Sequence, residues 1–349
     1  MRNADGVAAI VTVAGLPLDS GAGASALPVA SSRAAADMPL VSIVIPSYNG
    51  MAHLPVCLAA VRAQTYRPFE TILVDNGSTD ESLGWVGREF PEVRSLALGR
   101  NHVFAGAINA GIRAATGAVI VLLNNDTEAE PGWLAELVRA LLAEPQAGMA
   151  ASKMRLFDRR EILHSAGDAY CCDGMPANRG VWQADTGQFD GDRMVFAPCG
   201  GASAYRRAML DEIGLFDEEL VAYCEDVDLA WRAQLAGYRC VFAPRAVVYH
   251  KLSATGGGRL ASFYVGRNVL WVIAKDYPGD LLRKHWPRVV RTQLRIVRDA
   301  ARAWRGEAAR ARIRGVLAGL WGVPRMLRKR RAVQRRRVVS AEYLSGIMS

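Results

Sequence analysis

Short β-branched runs alternate with helical repeats along most of the chain. Val41-Ser-Ile-Val-Ile45 has the pattern of a buried strand and is stopped by Pro46. Residues 51–65 then place Leu54, Leu58 and Val61 on one helical face. Thr71-Ile-Leu-Val74 predicts a second strand, ended by the polar loop Asp75-Asn-Gly-Ser-Thr-Asp80. Asn101 to Ala115 predicts a helix with Gly117 at its C-cap position. Ala118-Val-Ile-Val-Leu-Leu123 predicts a third strand, ended by Asn124-Asn-Asp126, and Trp133 to Leu142 a further helix. This alternation predicts an α/β, Rossmann-like fold with a mainly parallel sheet and right-handed crossovers.

The pattern weakens in the middle. Ser152 to Val195 is rich in Gly, Asp and Arg with little periodicity, and reads as irregular loops with a short hairpin facing an acceptor. Glu225-Asp-Val-Asp228 opens a helix carrying Leu229, Trp231 and Leu235 and closed by Gly237. From Leu281 the chain is amphipathic: Trp286, Val290, Leu294, Val297, Ala301 and Trp304 recur at spacings of three or four, with arginines from Arg291 to Arg305 on the other side. A second basic stretch spans Arg325 to Arg337. The expected division is an Ala/Gly/Ser-rich disordered leader over residues 1–38, an α/β domain over 39–275, and a basic, mainly helical extension over 276–349.

Charge sharpens this division. Residues 280–349 hold 19 Lys/Arg and 4 Asp/Glu, a charge of +15, so the preceding residues carry −6 of the total +9. A mildly acidic body with a basic anchor follows, and nucleic-acid binding is not expected. The six cysteines form no CxxC pair, which argues against a zinc site or a disulfide framework and favours reduced thiols in the cytoplasm. No run of eighteen apolar residues is present, so peripheral attachment to the inner face of the cell membrane is the alternative to a freely soluble state. Val7 to Leu18 resembles a weak signal peptide, but Asp5 spoils its basic start and a leader is favoured. Translation from Met38 is a hypothesis that an N-terminal sequence beginning near Arg2 would overturn.

Three polar clusters fall just after three strands: Ser47-Tyr-Asn49, Asp75 to Asp80, and Asn124-Asn-Asp126. Open α/β sheets bind ligands at the carboxyl ends of their strands. Asp126 is the candidate ligand for a hard cation, Mg²⁺ or Mn²⁺, against the alternative of a helix cap or loop turn. His250, after the apolar Ala246 to Tyr249, either completes that shell or is structural. Glu225 and Asp226 are candidates for a general base, against the alternative that acids simply suit a helix start. Asp75 either accepts a hydrogen bond from a base or makes an Asx turn. Gly200-Gly201 permits close backbone approach to a ligand.

Taken together, the motifs resemble a family 2 glycosyltransferase with the GT-A fold, and most of all its bacterial rhamnosyltransferase-like branch. The stretches are Val41 to Gly50, Leu73 to Asp80, Asn101 to Gly111, Leu122 to Thr127, Gly214 to Asp217, Tyr223 to Leu229 and Tyr249-His250, in matching order over about residues 40–275. The resemblance implies that Pro46, Ser47, Tyr48, Asn49, Asp75 and Asn124 hold the nucleotide, and that Gly201 and Ala202 lie on the acceptor and sugar side. It implies Asp126 at the metal, His250 at the metal or the diphosphate, Asp226 as base, and Glu225 orienting the acceptor or the base. Arg267-Asn268 matches a pair near the domain's end without an assigned role. Asn124-Asn125 replaces a more acidic motif of the wider family. The QxxRW signature of processive members is absent, with Trp231-Arg232-Ala233-Gln234 in its place, which implies transfer of single sugars.

The implied reaction is inverting transfer from a nucleotide-diphosphate sugar, first dTDP-L-rhamnose, to an acceptor hydroxyl in cell-surface polysaccharide or glycolipid assembly. UDP-hexose, UDP-galactofuranose or GDP-mannose donors are the alternative, as is a non-catalytic nucleotide-sugar-binding protein. Implied acceptors are saccharides or polyprenyl-diphosphate-linked sugars. Residues 281–305 then either lie on an anionic membrane surface or pack on the body, and Arg325 to Arg337 is expected to be surface-binding or disordered.

Overall fold

In this computed structural model, which describes residues 38–251 and 257–349, the β-branched runs become the parallel half of one sheet. The leader expected over residues 1–38 lies outside the described residues except for Met38. β1 (Val41–Ser47) leads through α1 (Leu54–Arg62) to β2 (Phe69–Asp75), and α2 (Ser82–Glu89) leads to the edge strand β3 (Arg94–Ala97). α3 (Val103–Ala114) returns the chain to β4 (Val119–Leu123), followed by β5 (Thr127–Ala129) and α4 (Trp133–Leu142). The middle segment forms β6 (Ala147–Leu156), β7 (Leu163–Ala166), the ribbon of β8 (Asp168–Tyr170) and β9 (Pro176–Asn178), β10 (Met194–Val195) and β11 (Ala202–Arg206). α5 (Arg207–Ile213), α6 (Glu225–Leu235) and β12 (Arg239–His250) follow, and α7 (Gly258–Lys275), α8 (Gly279–Arg302), α9 (Glu307–Arg335) and α10 (Ala341–Ile347) end the chain.

The strand order is β10-β12-β6-β11-β4-β1-β2-β3, with β5 on β12 and β7 on β6. β1 pairs in parallel with β2 and β4, while β11 runs antiparallel to both β4 and β6. Both faces of the central strands are covered, which is why they read as unbroken apolar runs. Ile43, Ile45 and Val121 pack with Leu54, Leu58 and Trp133 on one face. Val44, Val74 and Ile120 pack with Ile108, Ile112 and Trp231 on the other. Each such side chain contributes about 1.5–3 kcal/mol by leaving water.

Two expectations are corrected here. Gly117 is not the cap of α3, whose C-cap is Ala115; a Cβ on Gly117 would meet the Leu40 carbonyl and Ser42, so its glycine serves a close chain crossing. The segment from Ser152 holds the irregular loops and short hairpin expected of it, the β8–β9 ribbon, but its first residues, Ser152 to Leu156, are the end of the buried strand β6 and not loop.

For the basic stretch Arg325 to Arg337 the disordered alternative is corrected: nearly all of it is the end of α9, and three of its side chains are anchored on the body. Lys329 reaches Asp217 at 2.8 Å, Arg330 donates to the Tyr277 carbonyl at 2.7 Å, and Arg337 pairs with Asp280 at 2.8 Å. α9 crosses α7 closely because a Cβ on Gly315 would run into the Phe263 carbonyl, and one on Gly319 would approach that of Arg267. Beneath this crossing lies a buried charge network. Asp228 of α6 pairs with Arg232 at 2.9 Å and with Lys275 of α7, and Lys275 also reaches Asp217 at 2.6 Å. The body and the last helices are therefore joined by both packing and charge.

Candidate active site

Parallel pairing brings Ser47 level with Asp75 at one edge of the sheet, and β4 ends there at Leu123. β11 runs the other way, so Ala202 lies opposite Leu123 and the Gly200-Gly201 loop opens at the same edge. The loops after β1 and β2 are stitched together. The Asn49 N–H donates to Ser78 Oγ at 2.8 Å, the Thr79 N–H to Asn49 Oδ1 at 2.8 Å, and the Asn76 N–H to the Ser47 carbonyl at 2.8 Å. Asn49 holds φ at 50°, a conformation asparagine tolerates. Tyr48 is 48% exposed and Asn49 also faces outward, whereas Pro46 and Ser47 are buried. Ser47 Oγ accepts from the Asn125 Nδ2 group at 3.0 Å, so Asn125 braces the strand end. Asp75 is buried, with Oδ2 accepting from the Ser78 N–H at 3.3 Å. The Asn124 N–H donates to the Gly201 carbonyl at 2.9 Å.

β5 pairs antiparallel with the end of β12, and this ladder sets Asp126 beside His250. His250 Nε2 stands 3.3 Å from Asp126 Oδ1, and that buried oxygen has no aligned hydrogen-bond donor among the described residues. Behind it, His250 Nδ1 is 3.1 Å from Nδ1 of His164 on β7. Burial, then the neighbouring imidazole, pushes His164 down to about 3, so it is neutral. When His250 Nδ1 donates to His164, Nε2 turns a lone pair towards the Asp126 oxygen. Two acceptors then face one another, an arrangement that suits a cation between them. Among the described residues no third His, Cys, Asp or Glu joins this pair. A carboxylate oxygen and an imidazole nitrogen fit a hard divalent ion if other oxygen ligands fill the rest of its shell.

The acid pair begins α6. Asp226 Oδ2 accepts from the Gly200 N–H at 2.9 Å and Oδ1 from the Val227 N–H at 2.8 Å. Both bonds favour the charged carboxylate, although burial raises its pKa overall. Glu225 Oε2 has no donor, and burial, then the charge of Asp226, pushes Glu225 up to about 8. The negative charge of the pair thus rests on Asp226, with Glu225 protonated at neutral pH. Asp228 is separated from them by its pairs with Lys275 and Arg232, and is structural.

Glu225 gives a stability prediction. The folded chain keeps its proton up to about pH 8, whereas the ordinary value is 4.5. The folded state binds the extra proton across that window, so stability falls as pH rises through it. Glu225→Gln is expected to flatten this fall, raising the melting temperature relative to wild type above pH 8 but not at pH 4, as checked by thermal melts across the range.

Three residues with a part in this site were not singled out from the sequence. His164 backs His250 as described. Asp168 accepts from Ser165 Oγ at 2.6 Å and Asn178 Nδ2 at 2.9 Å, and is pushed up to about 7 by burial, then by the charge of Asp226. Cys199 begins the glycine loop and its thiol is pushed well up by burial, then by Asp168 and Asp226. The Arg267-Asn268 pair also acquires a role. Val221, Tyr223 and Cys224 all have positive φ, 70°, 65° and 65°, a costly conformation for such side chains. Buried Asn268 donates to the carbonyls of Leu220, Ala222 and Tyr223 at 2.8, 2.9 and 2.6 Å, and Arg267 donates to Glu219 and Leu220. The pair holds the strained approach to Glu225.

Residues 42–214 match the family model described as Glycosyl transferase family 2. The chain is 30% identical to an L-rhamnosyltransferase of Mycobacterium tuberculosis described as acting on N-acetylglucosaminyl-diphospho-decaprenol, over 62% of this chain and 78% of that protein. It is also 30% identical to the uncharacterized protein y4gI of Sinorhizobium fredii, over 63% of this chain but only 25% of that much longer relative. Among solved structures, a mannosyltransferase of Pyrobaculum calidifontis in complex with GDP-Man and Mn²⁺ superimposes with a TM-score of 0.52 at 17% identity, covering 89% of this chain and 84% of that one. That likeness concerns the fold, which is of the GT-A kind.

Proposed function

This chain belongs to glycosyl transferase family 2, within its rhamnosyltransferase-like branch, and from that premise we propose that it moves one sugar from a nucleotide-diphosphate donor to an acceptor hydroxyl in cell-surface polysaccharide or glycolipid assembly. The observation that carries this reading is the Asp126–His250 pair at the sheet edge where Ser47, Asp75 and the Gly200-Gly201 loop also open. Asp75 and the outward Tyr48 and Asn49 are suited to the nucleoside, with Pro46 and Ser47 fixing the strand end and Asn124 the neighbouring loop. Asp126 and His250 would hold Mn²⁺ or Mg²⁺. Such an ion, when bound, neutralises charge on the departing diphosphate.

Asp226 takes the proton of the acceptor hydroxyl as its oxygen bonds to the anomeric carbon and the bond to the diphosphate oxygen breaks. The Gly200 N–H holds the carboxylate in place, and protonated Glu225 is able to donate a hydrogen bond to the acceptor. Gly201 and Ala202 line the sugar side of that loop. A single base and direct displacement correspond to inversion.

The donor proposed is dTDP-L-rhamnose and the acceptor a polyprenyl-diphosphate-linked saccharide, supported by the description of the mycobacterial relative. UDP-hexose, UDP-galactofuranose and GDP-mannose are the competing donors. The test is a transfer assay over this donor panel with Mn²⁺ or Mg²⁺, with product configuration read by NMR. The expected result is an inverted rhamnosyl product. Turnover of another donor alone overturns the choice of sugar, and a retained configuration overturns direct displacement.

A further inference from the structure

The packing of α9 divides its surface in two. Gly315, Gly319, Met326 and Lys329 face the body. Leu317, Leu320, Trp321 and Leu327 face solvent, 60%, 56%, 89% and 47% exposed. Steps of three and four residues set Arg314, Leu317, Trp321, Pro324 and Arg328 along one line of the helix. A surface helix of a globular protein turns its apolar stripe inward, so a second, outward stripe containing an almost fully exposed indole marks a contact surface. α8 repeats the pattern: Trp286, Val290 and Leu294, at four-residue steps, are 56%, 45% and 65% exposed beside Arg291 and Arg295.

Charge identifies what meets this surface. The ion pairs of α9 in this region use Arg325 and Lys329, whereas Arg314, Arg328 and Arg331 take part in none among the described residues. The segment from 280 onward carries +15, so a second copy laid on it would be repelled, while an anionic surface is attracted. No helix among the described residues is long and apolar enough to cross a membrane. Leu and Trp entering the acyl boundary, with arginines in the phosphate layer, is the arrangement of a helix lying in the interface plane. We propose that the outer faces of α8 and α9, centred on Leu317 to Trp321, dock the protein on the anionic surface of a lipid bilayer. This inference does not rest on the sugar-transfer reading.

The test is co-sedimentation of the full chain with vesicles of phosphatidylcholine mixed with phosphatidylglycerol, against phosphatidylcholine alone. The chain is expected to bind the mixed vesicles, and the binding to weaken with salt. The triple variant Leu317→Ala, Leu320→Ala, Trp321→Ala is expected to bind at least about tenfold more weakly. Its melting temperature should be unchanged, because these side chains face solvent. Arg328→Gln with Arg331→Gln leaves the apolar row intact and is expected to lose about fivefold per charge. Equal binding to both vesicle types, binding to neither, or full binding by the triple variant overturns the proposal. So does light scattering that shows a wild-type dimer abolished by the triple variant, which assigns the surface to a second copy.

Discussion

Asp226→Asn is expected to lower the transfer rate by about 10²–10⁴-fold, the usual contribution of a positioned general base. The substitution keeps the shape, and the new side-chain carbonyl can still accept from the Gly200 N–H that now bonds Oδ2 at 2.9 Å. What it removes is the basic oxygen. Donor affinity should therefore stay within about twofold of wild type, because the change falls on a step that follows binding. Stability should change little, since the amide is spared the burial cost of the charged carboxylate while the Val227 N–H loses its acceptor. The split is checked by measuring kcat, donor Kd and melting temperature on the same preparation. If the variant keeps most of its activity, the acid pair is only a helix start. If donor binding collapses as well, Asp226 belongs to the donor site.

Asp228→Ala, two residues further on, is expected to act through stability instead. Removing one partner of a buried ion pair costs about 3–5 kcal/mol, because the other charge stays buried and unpaired. Here the group left behind is Lys275, whose side chain is 6% exposed and which keeps one carboxylate, Asp217 at 2.6 Å, so the cost falls towards the lower end of that range. Arg232 also loses its 2.9 Å contact, though it still donates to the carbonyls of Ile213, Gly214 and Leu215. The melting temperature should fall by about 5 °C. A double-mutant cycle with Lys275→Ala should show strong coupling, since the second deletion removes the charge the first left behind. A fall of about 1 °C or less would contradict the network's role in holding α6 to α7.

The two acids look alike in the sequence, both in the burst Glu225-Asp-Val-Asp228, and only the fold separates them. Arg232 stands four residues on from Asp228 along α6. The second partner of Asp228 lies on α7, however, and the Gly200 N–H that holds Asp226 lies on the loop before β11, so the contacts that separate the two acids have no local signal. The same holds for the basic stretch at the chain's end. Arg325 to Arg337 reads as surface-binding or disordered, yet Lys329 lands on Asp217, more than a hundred residues away. By contrast, β1, β2 and β4 were legible because a strand covered on both faces must be apolar throughout. Asp126 and His250 were legible as separate strand-end residues, although their 3.3 Å contact depends on the β5–β12 ladder.

His164 and Asp168 escaped for a different reason. β6 carries Gly148, Ser152 and Lys153 at buried positions, which breaks the apolar pattern expected of a strand. Lys153 is tolerated because Asp185 and Asp190 reach it from the next segment. With β6 unread, β7 beside it lost its context, and a histidine inside Leu163 to Ala166 looked like part of a loop. Two titratable groups four residues apart, flanked by small and apolar neighbours, are the one signal that marks this stretch as buried and polar at once.

The central claim is that Asp126 and His250 hold a divalent ion against the diphosphate of a nucleotide sugar. The most direct measurement is calorimetric titration of dTDP, UDP and GDP into wild type, Asp126→Ala and His250→Ala, each with and without Mn²⁺. Tight binding of one nucleotide by wild type, dependent on Mn²⁺ and weakened by at least about tenfold in both variants, is the predicted result. Binding that is indifferent to Mn²⁺ and unchanged in both variants would contradict it, and would leave the Asp126–His250 contact a structural one.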